Sequence, residues 1–442
     1  MLNFLFVAAA MVPQTADSIP APKVITLEQA IQIALSENAT VKVADMEIER
    51  TGYARKGSYA ALFPSVDGSA SFQRTIRRQR MYMDVPGFDT GRDGIEVGRW
   101  NNYTASASAA MPLINAQLWK SLKISDSDVE LAVEKARSSR LETVTQVKQA
   151  YFSCLLARDA AAVYESVYNN AMENLKLTQQ KYNAQKASEL DLARAKTAVA
   201  NAMPNLYDSQ SAIALALWQL KAVMGVSLDE DIEVAGSLSD NAEQMYWATY
   251  DAQNSDLEGN STLKQLEIQA VQLADAVKMQ KYANLPSLAL AYNYSLNAMT
   301  NDFKFSEYKW SPYSYIGLSL SVPIFAGGKR HNAIRQAKVQ AGELEIQREN
   351  TERQLQIALR QYIKTMETSM NSYAAAQSAV ETAQKAYDIA VKSYQVGRST
   401  LTDLSDAQLA LTQARLTVSQ AIYNFEVAKS NLEQTIGHDF TE

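Results

Sequence analysis

The chain has a single cysteine, Cys154, so no internal disulfide can form, and its apolar helical neighbourhood Ala150-Tyr-Phe-Ser-Cys154-Leu-Leu156 makes it a buried structural thiol rather than a reactive one. Only two histidines occur, His331 and His438, with no metal-ligand spacing around them and no nucleophile motif beside them. Gly327-Gly328 lacks the wider frame of a phosphate loop and is read as a strand-to-helix turn. A formal net charge of -6 over 442 residues leaves no basic stripe of the kind nucleic acid requires. No apolar run approaches the roughly 18 residues of a membrane-spanning helix. These absences remove an enzyme, a cofactor or metal site and a nucleic-acid partner from the reading. They also leave strands as the only means of crossing a bilayer.

What the chain does contain is a duplication. Tyr182-Asn-Ala-Gln-Lys-Ala-Ser-Glu-Leu-Asp191-Leu192 aligns with Tyr394-Gln-Val-Gly-Arg-Ser-Thr-Leu-Thr-Asp403-Leu404 at an offset of 212 residues. Beyond each lies a heptad series: Leu192, Val199, Leu206, Ile213 and Leu220 against Leu404, Leu411, Val418, Phe425 and Leu432. Three residues after the first four members sit small residues, Ala195, Ala202, Ser209 and Ala216, then Ala407, Ala414, Ala421 and Ala428. A strict seven-residue repeat with apolar pairs specifies helices that supercoil around partners, and the small residues let backbones approach closely.

Along the chain, the apolar spacing of Leu27 to Leu35 predicts a helix capped by Thr26 and running to about Leu62, where Pro64 stops it. Alternation predicts strands over 65–73 and 103–111, separated by a polar, glycine-bearing loop over 81–101. A very long helix then spans 115–184, breaks at 185–188 and resumes to Gly225, with Pro204 expected to kink it. The acidic segment 226–260 reads as an irregular connector. The second half repeats the plan: a helix over 262–284, strands over 287–296 and 313–322, a long helix over 329–395, a break at Val396-Gly397, and a helix to Gly437. The expected organisation is a first repeat at 27–225 (hairpin 65–112, long helices 115–225) and a second at 262–437 (hairpin 287–323, long helices 328–437). The fold class is mainly α with a small β part. The apolar opening run Met1–Val12, with small residues at Ala8–Ala10, makes residues 1–16 an expected export signal, although no Lys or Arg precedes it; a hydrophobic arm is the alternative.

The strands have a membrane-like pattern. Ile316, Leu318, Leu320 and Val322 alternate with Gly317, Ser319 and Ser321, and Leu288, Leu290, Tyr292, Tyr294 and Leu296 alternate with small or polar residues. Each run has the length of a tilted outer-membrane strand. A small soluble sheet packed on helices is the competing reading. Four strands cannot close a barrel, which needs about eight, so a membrane reading demands that several chains share one.

Together these landmarks resemble the TolC-like outer membrane efflux proteins, over about Leu27 to Gly437. The matching residues are Leu27-Glu-Gln-Ala-Ile-x-x-Ala-Leu35-x-x-Asn38, Leu62-x-Pro64-Ser, Leu285-Pro286-Ser, Met111-Pro112-Leu-Ile, Val322-Pro323-Ile-Phe-Ala-Gly-Gly328 and Tyr394-x-Val-Gly397-x-x-Thr-Leu-x-Asp403-x-x-Asp406-Ala. The resemblance implies a homotrimer whose strands form one shared 12-stranded barrel in outer-membrane lipid, above an α-helical periplasmic tunnel. It implies export of drugs, metals or proteins, with a periplasmic adaptor and an inner-membrane pump of RND or ABC type as partners. A type I protein-secretion duct is the runner-up, and a non-membrane periplasmic coiled-coil scaffold is the alternative from another class.

The resemblance also assigns residues. Asp403 and Asp406 match a pair that narrows the periplasmic mouth, although Thr400 to Asp403 also reads as a helix cap. Tyr394 and Asp191 match positions that hold the closed state, with ordinary flank residues as the alternative. The turns carrying Lys186, Ser188, Gly397, Arg398 and Thr400 match the tips that meet the adaptor. Three departures stand out. Asn38-Ala39 replaces the family's Asn-Pro, Ser399 stands where an arginine is usual, and Gln185 stands where the second tip has Gly397, so the tips are expected to differ. Arg74, Arg77, Arg78 and Arg80 form a basic cluster that suits either an anionic lipid or a solvated loop.

Overall fold

A computed structural model of the chain describes residues 23–85, 88–89, 93–252 and 255–438; the expected signal segment lies outside them. The elements run β1 (Lys23–Ile25), α1 (Leu27–Glu37), α2 (Ala39–Ala60), β2 (Ser65–Arg74), the short β3 (Gln79–Met81), β4 (Asp84–Val85), β5 (Phe88–Asp89) and β6 (Ile95–Val97), then β7 (Asn101–Ile114). They continue with α3 (Ala116–Asn183), α4 (Glu189–Met224), β8 (Ile232–Val234), a 3-10 turn (Leu238–Gln244), α5 (Met245–Ala252), α6 (Ser261–Tyr282), β9 (Ser287–Thr300), β10 (Ser311–Ser321), α7 (Lys329–Gln395) and α8 (Leu401–Ile436). Among the described residues no helix is long and apolar enough to cross a membrane.

Three expectations are corrected. The first helix does not run unbroken to Leu62. Asn38 ends α1 and begins α2: its Oδ1 accepts from the Thr40 N–H at 2.7 Å, and its Nδ2 donates to the Val223 carbonyl at 2.7 Å. An asparagine that satisfies the next helix's first donors breaks the helix as effectively as a proline. The segment 226–260 is not irregular throughout, since β8 pairs in parallel with β1 and is followed by the 3-10 turn and α5. The polar loop over 81–101 also carries short ladders, β3 with β6 and β4 with β5. Pro204 leaves α4 unbroken from Glu189 to Met224.

The chain forms two compact units that cut across the sequence repeat. Among the described residues, one contains 23–42, Arg140–Asp256 and 358–438; the other contains Val43–Ser139 and Leu257–Ile357. In the first unit the core joins Ile25 of β1, Ala30 and Ala34 of α1, Val147 to Leu155 of α3, Leu220 and Met224 of α4, Leu238, Met366 of α7, and Ile422 to Leu432 of α8. Cys154 is buried in it, and burial pushes its thiol up to about 12. The α8 seam is buried at Leu404, Leu411, Ala414, Ala421, Phe425, Ala428 and Leu432; the α4 seam is buried at Leu192, Ala195, Ala202, Ser209 and Leu220. Polar pairs align α3 with α8: Lys148–Glu433 at 2.6 Å, Gln149–Asn431 at 2.9 Å and Asn170–Gln408 at 3.0 Å. As one number falls the other rises, which marks the two helices as antiparallel.

The second unit holds an antiparallel sheet in the order β10-β9-β7-β2, flanked by segments of helix. Beside it, Lys120 of α3 pairs with Asp275 of α6 at 2.7 Å, and Lys278 adds a bond at 3.3 Å. The Asp275 side chain is 4% exposed. Burial opposes its charge, but the two ammonium groups outweigh burial and hold the carboxyl below its ordinary value.

Candidate functional site: the sheet and the helix tips

Cross-strand register shows what the sheet does with its alternation. Leu318 pairs with Leu290, which pairs with Met111; Ile316 pairs with Tyr292, Tyr292 with Ala109, and Ala109 with Val66. One face is therefore apolar across all four strands. The other carries Ser319, Ser321, Asn293, Ser295, Ser106, Ser108, Asp67 and Ser69. On the apolar face Val66 is 74% exposed, Ile316 73% and Leu318 67%, so no described helix covers these side chains. A soluble sheet packed on helices would bury these side chains, each worth about 1.5–3 kcal/mol when removed from water. β2 and β10 bound the sheet, and neither has an outer partner among the described residues. Where the sheet meets the helices, Phe63, Ile324 and Phe325 are also exposed. The arrangement suits lipid on one face, water on the other, and further strands at both edges.

The tips are built by local rules. At the end of α3 the Gln185 N–H donates to the Tyr182 carbonyl at 2.9 Å and the Lys186 N–H to the Lys181 carbonyl at 2.7 Å. At the end of α7 the Gly397 N–H donates to Tyr394 at 3.2 Å and the Arg398 N–H to Ser393 at 2.8 Å. Both are the paired closure of a Schellman cap, which needs a left-handed residue at its turn. Gln185 has φ 58° and Gly397 has φ 80°. The two tips share the left-handed turn and its hydrogen-bond closure, and they differ in the residue that makes it, a glycine in one and a strained glutamine in the other.

Ser188 and Thr400 cap the helices that follow. The Ser188 Oγ accepts from the Asp191 N–H at 3.1 Å, and Asp191 accepts in return from the Ser188 N–H at 3.2 Å. Thr400 and Asp403 repeat this reciprocal box at 3.2 and 2.8 Å. The Thr400 bonds hold the Asp403 carboxyl below its ordinary value. Asp403 and Asp406 are both exposed, one turn apart, and only Asp403 is tied to the cap.

Tyr394 is 6% exposed, packed with Ala195, Leu401 and Leu404. The structure does not join it to Asp191, which is engaged with Ser188. Instead the Tyr394 hydroxyl lies 2.6 Å from the Thr178 Oγ1, while the Lys181 ammonium donates to the Tyr394 carbonyl and sits 4.0 Å from its ring centroid. Burial lowers the pKa of Lys181. Sequence reasoning missed Thr178 and Lys181; the only signal was their place within a turn or two of the break at Gln185.

With the sheet and the tips in view, comparison with known proteins decides the relationship. The profile of the family described as outer membrane efflux protein matches residues 30–226 and 254–438. The chain belongs to that family. It is similar to the outer membrane protein TolC of Escherichia coli K12, 21% identical over 347 residues, covering 76% of this chain and 70% of that protein. It is also similar to the alkaline protease secretion protein AprF of Pseudomonas aeruginosa, 24% identical over 403 residues, covering 90% of this chain and 82% of the other. Among solved structures, the outer membrane protein VceC of Vibrio cholerae aligns with a TM-score of 0.75 at 16% identity, covering 94% of this chain and 96% of VceC.

Proposed function

We propose that three copies of this chain assemble into one outer-membrane channel-tunnel, which serves as the exit duct of a tripartite efflux pump for drugs, metals or other toxic small molecules. The observation that carries this is the sheet: one exposed apolar face, one polar face and two open edges, with only four long strands among the described residues. Three such sheets joined edge to edge give a closed barrel with lipid outside and water within. The chain is a duct and not an enzyme, and it works with a periplasmic adaptor and an inner-membrane pump. Detergent-purified protein is expected to run as a heat-sensitive trimer; a monodisperse monomer with a complete barrel would refute the assembly. A protein-secretion duct is the second reading, favoured by the similarity to AprF.

The tips supply the remaining roles. Asp403 and Asp406 of each chain form the periplasmic aperture, whose carboxylates attract cations and reject anions. Replacing both by Ala should reduce cation preference in planar bilayers, and unchanged reversal potentials in a salt gradient would reduce the pair to helix capping. Tyr394 and Asp191 hold the closed tip through separate partners, Thr178 with Lys181 for the first and Ser188 for the second; Tyr394→Phe is expected to raise conductance. Lys186, Ser188, Gly397, Arg398 and Thr400 present the surface that meets the adaptor.

A further inference from the structure

We propose that the loop end of the sheet holds a phosphorylated lipid of the outer leaflet, with Arg74 gripping the headgroup and Arg77 supporting it; this rests on the outer-membrane reading above. Alternation along β2 puts Val66, Gly68, Ala70, Phe72 and then Arg74 on the apolar face. A cation therefore ends a row that otherwise faces lipid. Around it lies an aromatic cluster. Phe72 stacks on Tyr103 at 4.8 Å, Tyr103 meets Phe305 at 5.1 Å and Tyr308 at 5.2 Å, and Phe303 lies 6.4 Å from Phe72. The Arg74 guanidinium stands 5.3 Å over the Phe303 ring. Exposed aromatic rings at the end of an apolar strand face mark the level where hydrocarbon gives way to headgroups.

Among the described residues the neighbouring charges are engaged with one another. Arg78 and Arg80 are both engaged by Glu96. Asp302 accepts from the Thr300 hydroxyl at 2.7 Å and from the Lys304 N–H at 3.3 Å, and Glu307 faces Lys304 at 3.8 Å. Arg74 and Arg77 are exposed and have no carboxylate partner among the described residues. A guanidinium presents a planar fork that matches a phosphate with two parallel hydrogen bonds, which an ammonium does not. The acyl chains of such a lipid would lie on the continuous apolar strip formed by Phe72, Ala70 and Val66.

The test uses the full-length protein in phosphatidylcholine vesicles doped with bis-phosphorylated lipid A or with its dephosphorylated form, and native mass spectrometry counts retained lipid. At about fivefold per surface arginine, the native protein should retain the phosphorylated form more than tenfold better. Arg74→Gln with Arg77→Gln should lose that preference while trimer level and conductance stay unchanged, and Arg74→Lys with Arg77→Lys should keep part of it. Equal retention of the two lipids, or a preference that survives the double Gln change, would overturn the inference. Displacement of the lipid by inorganic phosphate at equal phosphorus would also overturn it, by showing a soluble-anion site. Channel formation with equal retention sinks this inference alone; a protein that forms no channel sinks the outer-membrane reading with it.

Discussion

Replacing Gln185 by Gly should tighten the first tip. Gln185 is the one non-glycine residue with positive φ among the described residues, at 58°, and it closes a Schellman cap whose counterpart uses Gly397 at 80°. A left-handed conformation costs an ordinary L-residue about 1–2 kcal/mol. Glycine removes that strain but gives the open chain more freedom, which takes back about 0.5–1 kcal/mol. The net expectation is a gain of about 0.5–1 kcal/mol, or roughly a two- to fivefold shift in the local opening equilibrium. Global denaturation is a poor reporter of so small a local change. Amide hydrogen exchange reads local opening directly. In peptides covering 180–190, the Gln185 and Lys186 amides should exchange about two- to fivefold more slowly in the Gln185→Gly variant. Gly397→Gln should accelerate exchange of the Gly397 and Arg398 amides by a similar factor. If Gln185→Gly speeds exchange, or if Gly397→Gln changes nothing, backbone strain does not govern the tips.

Other positions give sharper effects. Gly225 caps α4 at φ 76°, and a β-carbon there would lie 2.7 Å from the Glu37 carbonyl oxygen. Gly225→Ala should therefore lower the denaturation midpoint, by about 2 kcal/mol or more in stability, whereas Gly397→Ala, with open space around it, should show only the smaller φ penalty. Lys120→Met leaves Asp275 buried with only the more exposed Lys278 for a partner, and should destabilise by about 3 kcal/mol in chemical denaturation. Because the folded pKa of Asp275 lies below the ordinary ~3.9, its pairing contributes stability above that value and loses it only as pH falls through the lower folded pKa. The stability that the paired Asp275 contributes to the native protein should thus stay constant from neutral pH down to about 5 and fall only in stronger acid. Cys154 should resist maleimide at pH 8 in the folded protein and react once denatured, since its thiol is buried and titrates at about 12.

The long elements were readable because heptads and alternation are period signals that persist over tens of residues. Leu404, Leu411, Phe425 and Leu432 fall in the buried seam, and the two faces of β9 and β10 separate as their sequence alternation predicts. Asn38 was misread because a helix break by side-chain capping has no period; only the bond to Val223, 185 residues away, reveals it. The left-handed turn at Gln185 was not legible for a related reason. Residue identity gives the strain of a left-handed turn, but the turn itself is imposed by the helices on either side. The tips kept their most consequential contact hidden. Thr178 and Lys181 lie far from Tyr394 in the chain, and nothing in either local pattern marks them as its partners. The sheet's order β10-β9-β7-β2, which joins the two halves through β7 and β9, was likewise not legible from strands read singly.

The unguarded edges β2 and β10 have a consequence for heredity. Neither edge carries an inward bulge or a proline screen along its central run, so each is open to whatever complementary strand it meets first. In the proposed trimer that strand belongs to a sibling chain, and a protomer with sound edges but a damaged tip would be built into the ring as readily as an intact one. A cell making both kinds would hold few wholly intact ducts. Tip lesions should therefore behave as genetically dominant, whereas lesions that spoil an edge should be excluded from assembly and behave as recessive.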